Sequence, residues 1–135
     1  MIKIIMGLKG TGKTKILINE VNNAVKEENG DVICIEKGTK LRYDVSHNAR
    51  LISASEYKID SYEKFFGFIS GLIAGNYDIT AVYIDSITKI CNDNNNMVDL
   101  ASFIESINHI AEHVNIVITV SNDIALIPES LKKYL

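Results

Sequence analysis

The run Gly7-Leu8-Lys9-Gly10-Thr11-Gly12-Lys13-Thr14 lies between the apolar stretch Ile2 to Met6 and a segment of helical period, and it constrains this chain more than any other feature. Its pattern, G-x-x-x-x-G-K-[ST], is that of a phosphate-binding turn joining a strand to a helix. The glycines let backbone N–H groups curl around an anion, and the helix N-terminus adds a partial positive charge. On this reading residues 7–14 cradle phosphates. Lys13 supplies a point charge to the β- and γ-phosphates, and Thr14 offers its hydroxyl to Mg²⁺. The competing reading is a glycine-rich turn carrying a solvated lysine.

Around this loop the chain alternates short apolar runs with longer helical ones, the pattern of βαβ units. Strands are expected at Ile2 to Met6, Asp31 to Glu36, Arg50 to Ala54, Ala81 to Asp85 and Asn115 to Ser121. Several are apolar throughout, as in parallel sheets covered on both faces. A helix carrying Leu17, Val21, Ala24 and Val25 follows the loop, with Gly30 as its stop. A second starts at Asp60 or Ser61, buries Phe65, Phe68, Ile69 and Leu72, and places Gly67, Gly71 and Gly75 for close helix-to-sheet packing. A third runs from about Met97 to His113 behind the polar Asn92 to Asn96 turn, with Asn96 as its cap. The fold class is therefore α/β, a three-layer α/β/α sandwich on a mainly parallel five-stranded sheet. At 135 residues, 47% of them apolar, the chain suits one nucleotide-binding domain spanning residues 1–135.

A phosphate loop needs a second metal anchor, normally an aspartate closing a neighbouring buried strand. Asp85, at the end of Ala81-Val82-Tyr83-Ile84, meets that description, acting on Mg²⁺ through a bound water. A plain turn cap is the alternative. Hydrolysis also needs a group that orients the attacking water, and Ser86 rather than a glutamate follows Asp85. Glu36, ending the second strand, is the best candidate; a carboxylate tied to loop amides or to Lys37 is an equal alternative. Ser121 and Asn122, after the last strand, can sense a γ-phosphate or merely cap their loop. His109 and His113 have helical i, i+4 spacing, but nothing beside them completes a metal site.

A net charge of −3 gives no general drive toward nucleic acid or an acidic membrane face, although a local basic patch stays open. The longest apolar stretch, Phe65 to Tyr77, is shorter than the roughly 18 residues of a membrane span. Cys34 and Cys91 match neither a disulfide framework nor a zinc spacing, so both are read as free thiols of a cytoplasmic protein.

Taken in order, these segments resemble the core of a RecA-like P-loop NTPase, the group that includes RecA and KaiC-type ATPases. Met6 to Thr14 resembles the Walker A loop, and Val32 to Glu36 the strand ending in the catalytic glutamate. Ala81 to Ile90, with Ile84-Asp85-Ser86, resembles the Walker B strand, and Ile116 to Asn122 the strand ending in the phosphate sensor. The resemblance implies the sheet order Arg50 strand, Glu36 strand, Asp85 strand, Asn115 strand, Ile2 strand. The phosphate-loop strand then lies at an edge, to be covered by Ile124 to Ile127 or by another subunit. Lys9 lies four residues before Lys13, not the five of deviant Walker A loops, so that role is not transferred.

The resemblance implies an ATP-binding protein with slow Mg²⁺-dependent hydrolysis, in which Lys13, Thr14 and Asp85 hold MgATP and Glu36 orients water. ATP is favoured over GTP because the chain lacks an N-K-x-D guanine-reading motif. A small-molecule kinase is the first alternative, weakened by having only Arg42 and Arg50 and no evident lid. A nucleotide-dependent switch whose output is a partner contact is the second. Expected partners are the nucleotide and a second copy or another protein, with specific nucleic-acid binding and a membrane disfavoured.

Overall fold

The computed structural model describes residues 1–94 and 96–135. Five strands, β1 (Ile2–Gly7), β2 (Asp31–Glu36), β3 (Arg50–Ser53), β4 (Ile79–Ile84) and β5 (Asn115–Ser121), form one sheet in the order β1-β5-β4-β2-β3. Every pairing is parallel. This is the α/β class and the strand order expected above, with β1 at an edge.

Strand parity divides the core. Val32 and Cys34, Ala81 and Tyr83, and Val117 face helix α1 (Lys13–Glu27), meeting Leu17, Val21 and Ala24. The alternate residues Ile33 and Ile35, Val82 and Ile84, and Ile116 and Ile118 face a larger cluster built with α2 (Tyr62–Gly75), the short α3 (Ile87–Ile90) and α4 (Val98–Ile110). Period-two alternation inside runs that are apolar throughout thus makes three layers, each face of the sheet having its own cover. Leu41, Val45 and Ala49, from the segment between β2 and β3, complete the α1 side.

Several local expectations change. α1 ends at Glu27, and Gly30 is not its cap: a Cβ there would lie 2.2 Å from Thr80 Cγ2 and 2.3 Å from the Asp78 carbonyl oxygen. The residue is glycine because two chain segments touch. On α2, Gly67, Gly71 and Gly75 do not pack on the sheet; a Cβ at any of them meets open space, because Phe65 and Ile69 define the buried side. Ser61 caps α2 by accepting from the Lys64 N–H, and Asp60 instead pairs with the Lys64 ammonium at 2.8 Å. α4 starts from Met97 in a left-handed conformation, so Asn96 is not its cap, and it ends at Ile110, short of His113. The Asn92 to Asn96 turn includes Asn95, outside the described residues.

The segment expected to cover β1 does so only at its end, and the chain after it contributes as well. Ile124 and Leu126 are exposed, whereas Ile127 and Leu131 are buried in the cluster that holds Ile2 and Ile4. The 3-10 segment Glu129–Tyr134 that carries Leu131 packs against β1.

Candidate functional site

Register brings the carboxyl ends of the strands to one level. Gly7 pairs with Ser121 and Ile35 with Ile84, and the Asp85 N–H donates to the Ile35 carbonyl at 2.9 Å. Asp85 therefore leaves the sheet beside Glu36, in the position where open α/β sheets collect ligands.

The loop after β1 has the geometry its glycines permit. Gly10 and Gly12 have φ of +86° and +84°, values that a side chain at either position would strain. At Gly7 a Cβ would lie 2.8 Å from Thr11 Oγ1. The Leu8 side chain points outward, 59% exposed, while its carbonyl turns inward to accept from Thr11 N–H, Thr11 Oγ1 and Lys13 Nζ at 3.3, 2.7 and 2.8 Å. Gly7, Leu8 and Thr11 thus shape the turn, and Lys9, Gly10, Gly12, Lys13 and Thr14 line a cavity of about 830 Å³. Gly12 is the N-cap of α1 and offers no side-chain acceptor, so the first-turn amides stay available to an anion.

Lys13 is only 7% exposed. Its ammonium reaches Leu8 O and, at 3.4 Å, Thr11 Oγ1, and among the described residues it has no carboxylate within ion-pair distance. Its charge thus faces the cavity held by neutral oxygens alone, where an anion would be drawn to it.

Thr14 Oγ1 donates to both oxygens of Asp85, at 3.1 and 3.3 Å. A hydroxyl and a carboxylate meeting beside the glycine-rich loop are hard oxygen donors, a chemistry that fits Mg²⁺ keeping several waters. Among the described residues no group of three or more His, Cys, Asp or Glu could hold a metal alone. His109 and His113 remain outside any such group.

Thr119 is the residue that the sequence reading missed. Fully buried in β5, it donates to Asp85 Oδ1 at 2.9 Å and accepts from the Ser86 N–H at 2.7 Å. It fixes the carboxylate and anchors the left-handed Ser86 that begins α3. The only sequence signal was one hydroxyl within Ile116 to Val120, and threonine is ordinary in strands. Thr119→Val keeps the shape but leaves the Ser86 N–H unpaired. It should cost about 1–3 kcal/mol in urea unfolding, with Thr119→Ser restoring most of the loss.

Glu36 lies on the cavity wall, 4% exposed. Its Oε1 accepts from the Lys40 N–H at 2.9 Å and its Oε2 from the Leu41 N–H at 3.1 Å. Burial pushes this carboxyl above its ordinary 4.5, against the opposing effect of the two amide bonds. Ser121 lines the cavity, whereas the Asn122 side chain turns away to accept from the Asp123 N–H at 2.7 Å. Arg42 and Arg50 are absent from the lining, and the Arg42 guanidinium lies 4.9 Å from the Tyr43 ring centre. Cys34 and Cys91 are free and buried, their thiols pushed up to about 12 chiefly by burial, which makes both poor nucleophiles.

No protein-family model matches the chain, and no curated protein matches it. Among solved structures it is similar to the flagellar accessory protein FlaH from Methanocaldococcus jannaschii, with 20% identity and a TM-score of 0.60. The match covers 96% of this chain and 64% of that one, so this chain spans less than two thirds of FlaH. At that identity the likeness concerns the fold alone, and with the parallel sheet it supports the α/β architecture. None of the helices among the described residues is long and apolar enough to cross a membrane.

Proposed function

We propose that this chain binds ATP with Mg²⁺ and hydrolyses it slowly to ADP and phosphate. The observation that carries this reading is Lys13, whose ammonium has no counter-ion among the described residues and stands on the wall of a cavity at the N-terminus of a 15-residue helix. The loop amides and the first turn of α1 would hold the phosphates, with Lys13 exchanging the Leu8 carbonyl for β- and γ-phosphate oxygens. Thr14 would hold Mg²⁺ through its hydroxyl and Asp85 would do so through water, in a position kept by Thr119. Mg²⁺, when bound, would neutralise charge on the phosphate oxygens. Glu36 would orient the attacking water and take its proton, using the lone pairs that the Lys40 and Leu41 amides leave free.

Isothermal calorimetry with ATP and Mg²⁺ tests the binding, and phosphate release tests the chemistry. Glu36→Gln should lower turnover by about a hundredfold. The wild-type rate should also rise with pH through a limb lying above 4.5, since burial favours the protonated carboxyl and only the ionised form serves as base. That limb should vanish in Glu36→Gln. The same preference for the neutral form means that ionising Glu36 removes stability as pH rises through its raised value.

One observation favours a second reading. Both Glu36 oxygens are already held by loop amides, which suits a protein that binds nucleotide and passes the bound state to a partner with negligible hydrolysis. Tight Mg²⁺-dependent ATP binding with no turnover, unchanged in Glu36→Gln, would select it.

A further inference from the structure

The cavity is wider in its chemistry than a phosphate loop requires. Five lysines line it, Lys9, Lys13, Lys37, Lys40 and Lys89, against two carboxylates, Glu36 and Asp85, in a chain whose net charge is −3. Among the described residues none of the five makes an ion pair within 4 Å. Both carboxylates are already engaged, Glu36 by two amides and Asp85 by two hydroxyls. Two of the lysines belong to the loop. The other three come from elsewhere: Lys37 and Lys40 from the segment after β2, and Lys89 from α3.

These three rest on fixed backbone. The Lys37 carbonyl accepts from the Ser55 N–H at 3.0 Å and from Ser53 Oγ at 3.2 Å. The Lys40 N–H is held by Glu36, and the neighbouring Leu41 is buried. Lys89 donates its N–H to the Ser86 carbonyl at 3.0 Å, and Ser86 is itself tied to Thr119. Three lysines thus reach one cavity from separate, anchored stretches of backbone, and an anion entering it would meet all three.

The lining also says which anion. It contains no aromatic side chain and no arginine, and Leu41 is its one large apolar residue. Single-stranded nucleic acid is held by aromatic platforms as well as charge, and planar carboxylates are favoured by arginine forks. Lysine is a point-charge binder of phosphate. We propose that Lys37, Lys40 and Lys89 form a second anion subsite, beside the end of the bound triphosphate, that takes a phosphate-bearing small molecule. This rests on the nucleotide reading only in assigning the loop half of the cavity to ATP.

The test uses the full chain loaded with Mg²⁺ and a non-hydrolysable ATP analogue, whose own titration is measured first. Inorganic phosphate is then titrated calorimetrically into the loaded protein. Saturable binding in about the millimolar range is expected. The triple variant Lys37→Ala, Lys40→Ala, Lys89→Ala, all at exposed positions, should weaken it at least about tenfold while shifting analogue affinity less than about threefold. No saturable phosphate binding to the loaded wild type would overturn the proposal. Equal weakening of phosphate and analogue would also overturn it, since the lysines would then serve the nucleotide alone, and so would displacement of phosphate by a short single-stranded oligonucleotide. If the analogue itself does not bind, the nucleotide reading fails separately. Phosphate titrated into the bare protein then decides the subsite: binding lost in the lysine triple variant and kept in Lys13→Ala supports it, and the reverse pattern sinks it.

Discussion

Lys13→Ala should lose about a hundredfold or more in affinity for ATP with Mg²⁺, equivalent to roughly 3 kcal/mol, because two or more charge-assisted bonds to phosphate disappear together. Without nucleotide the same variant should be no less stable than the wild type. Among the described residues its ammonium has no carboxylate partner, so removing it breaks no ion pair. The Leu8 carbonyl that it caps keeps both Thr11 donors. Calorimetric titration and urea unfolding measured side by side therefore separate a loss of affinity from a loss of stability. Equal affinity in variant and wild type would remove every nucleotide-based reading of this chain.

A large effect of the opposite kind is expected at Phe65. It is fully buried on the α2 side of the sheet, its ring 5.6 Å from that of Phe103, which in turn lies 5.4 Å from Tyr62. These rings join α2 to α4, so Phe65→Ala opens a cavity between two helices that cannot easily collapse. It should cost about 3–5 kcal/mol and lower the thermal midpoint by roughly 10–20 °C. The site lies at the carboxyl edge of the sheet, outside this cluster. ATP affinity measured well below the lowered midpoint should therefore stay near the wild-type value, and a parallel loss of affinity would show the two regions coupled.

Much of the frame was legible because its signals are local. A glycine loop between an apolar run and a helical period leaves few alternatives, and two strands, Asp31–Glu36 and Asn115–Ser121, have the bounds expected from their apolar runs. The edge position of β1 came from the RecA-like resemblance and matches the observed order. What failed depended on neighbours distant in sequence. Gly30 was read as a helix stop because the segment that crowds it, Asp78 to Thr80, arrives some fifty residues later. Gly67, Gly71 and Gly75 were assigned to the sheet because their spacing shows a common side of the helix without saying which side is buried. Thr119 escaped notice because a hydroxyl in a strand acquires meaning only when Asp85 and Ser86 stand beside it.

The same division separates the site residues. Residues 7–14 and Asp85 stand out by local pattern, and the structure brings Thr14 within hydrogen-bond reach of Asp85. Glu36 and Asn122 each fit two uses by sequence alone, and in the structure both side chains are engaged by amides of their own loops. The lysines could not be grouped in advance, since Lys37, Lys40 and Lys89 lie on separate segments and the net charge of −3 conceals them. The sequence by itself determined the layers, the glycine-rich turn between β1 and α1 and the α/β frame, because backbone conformation and alternating burial are set by near neighbours. Only the tertiary structure decided which carboxylates are already occupied, which threonine holds Asp85, and that five lysines share one cavity, because each depends on groups that meet solely when parallel strands end at a common edge.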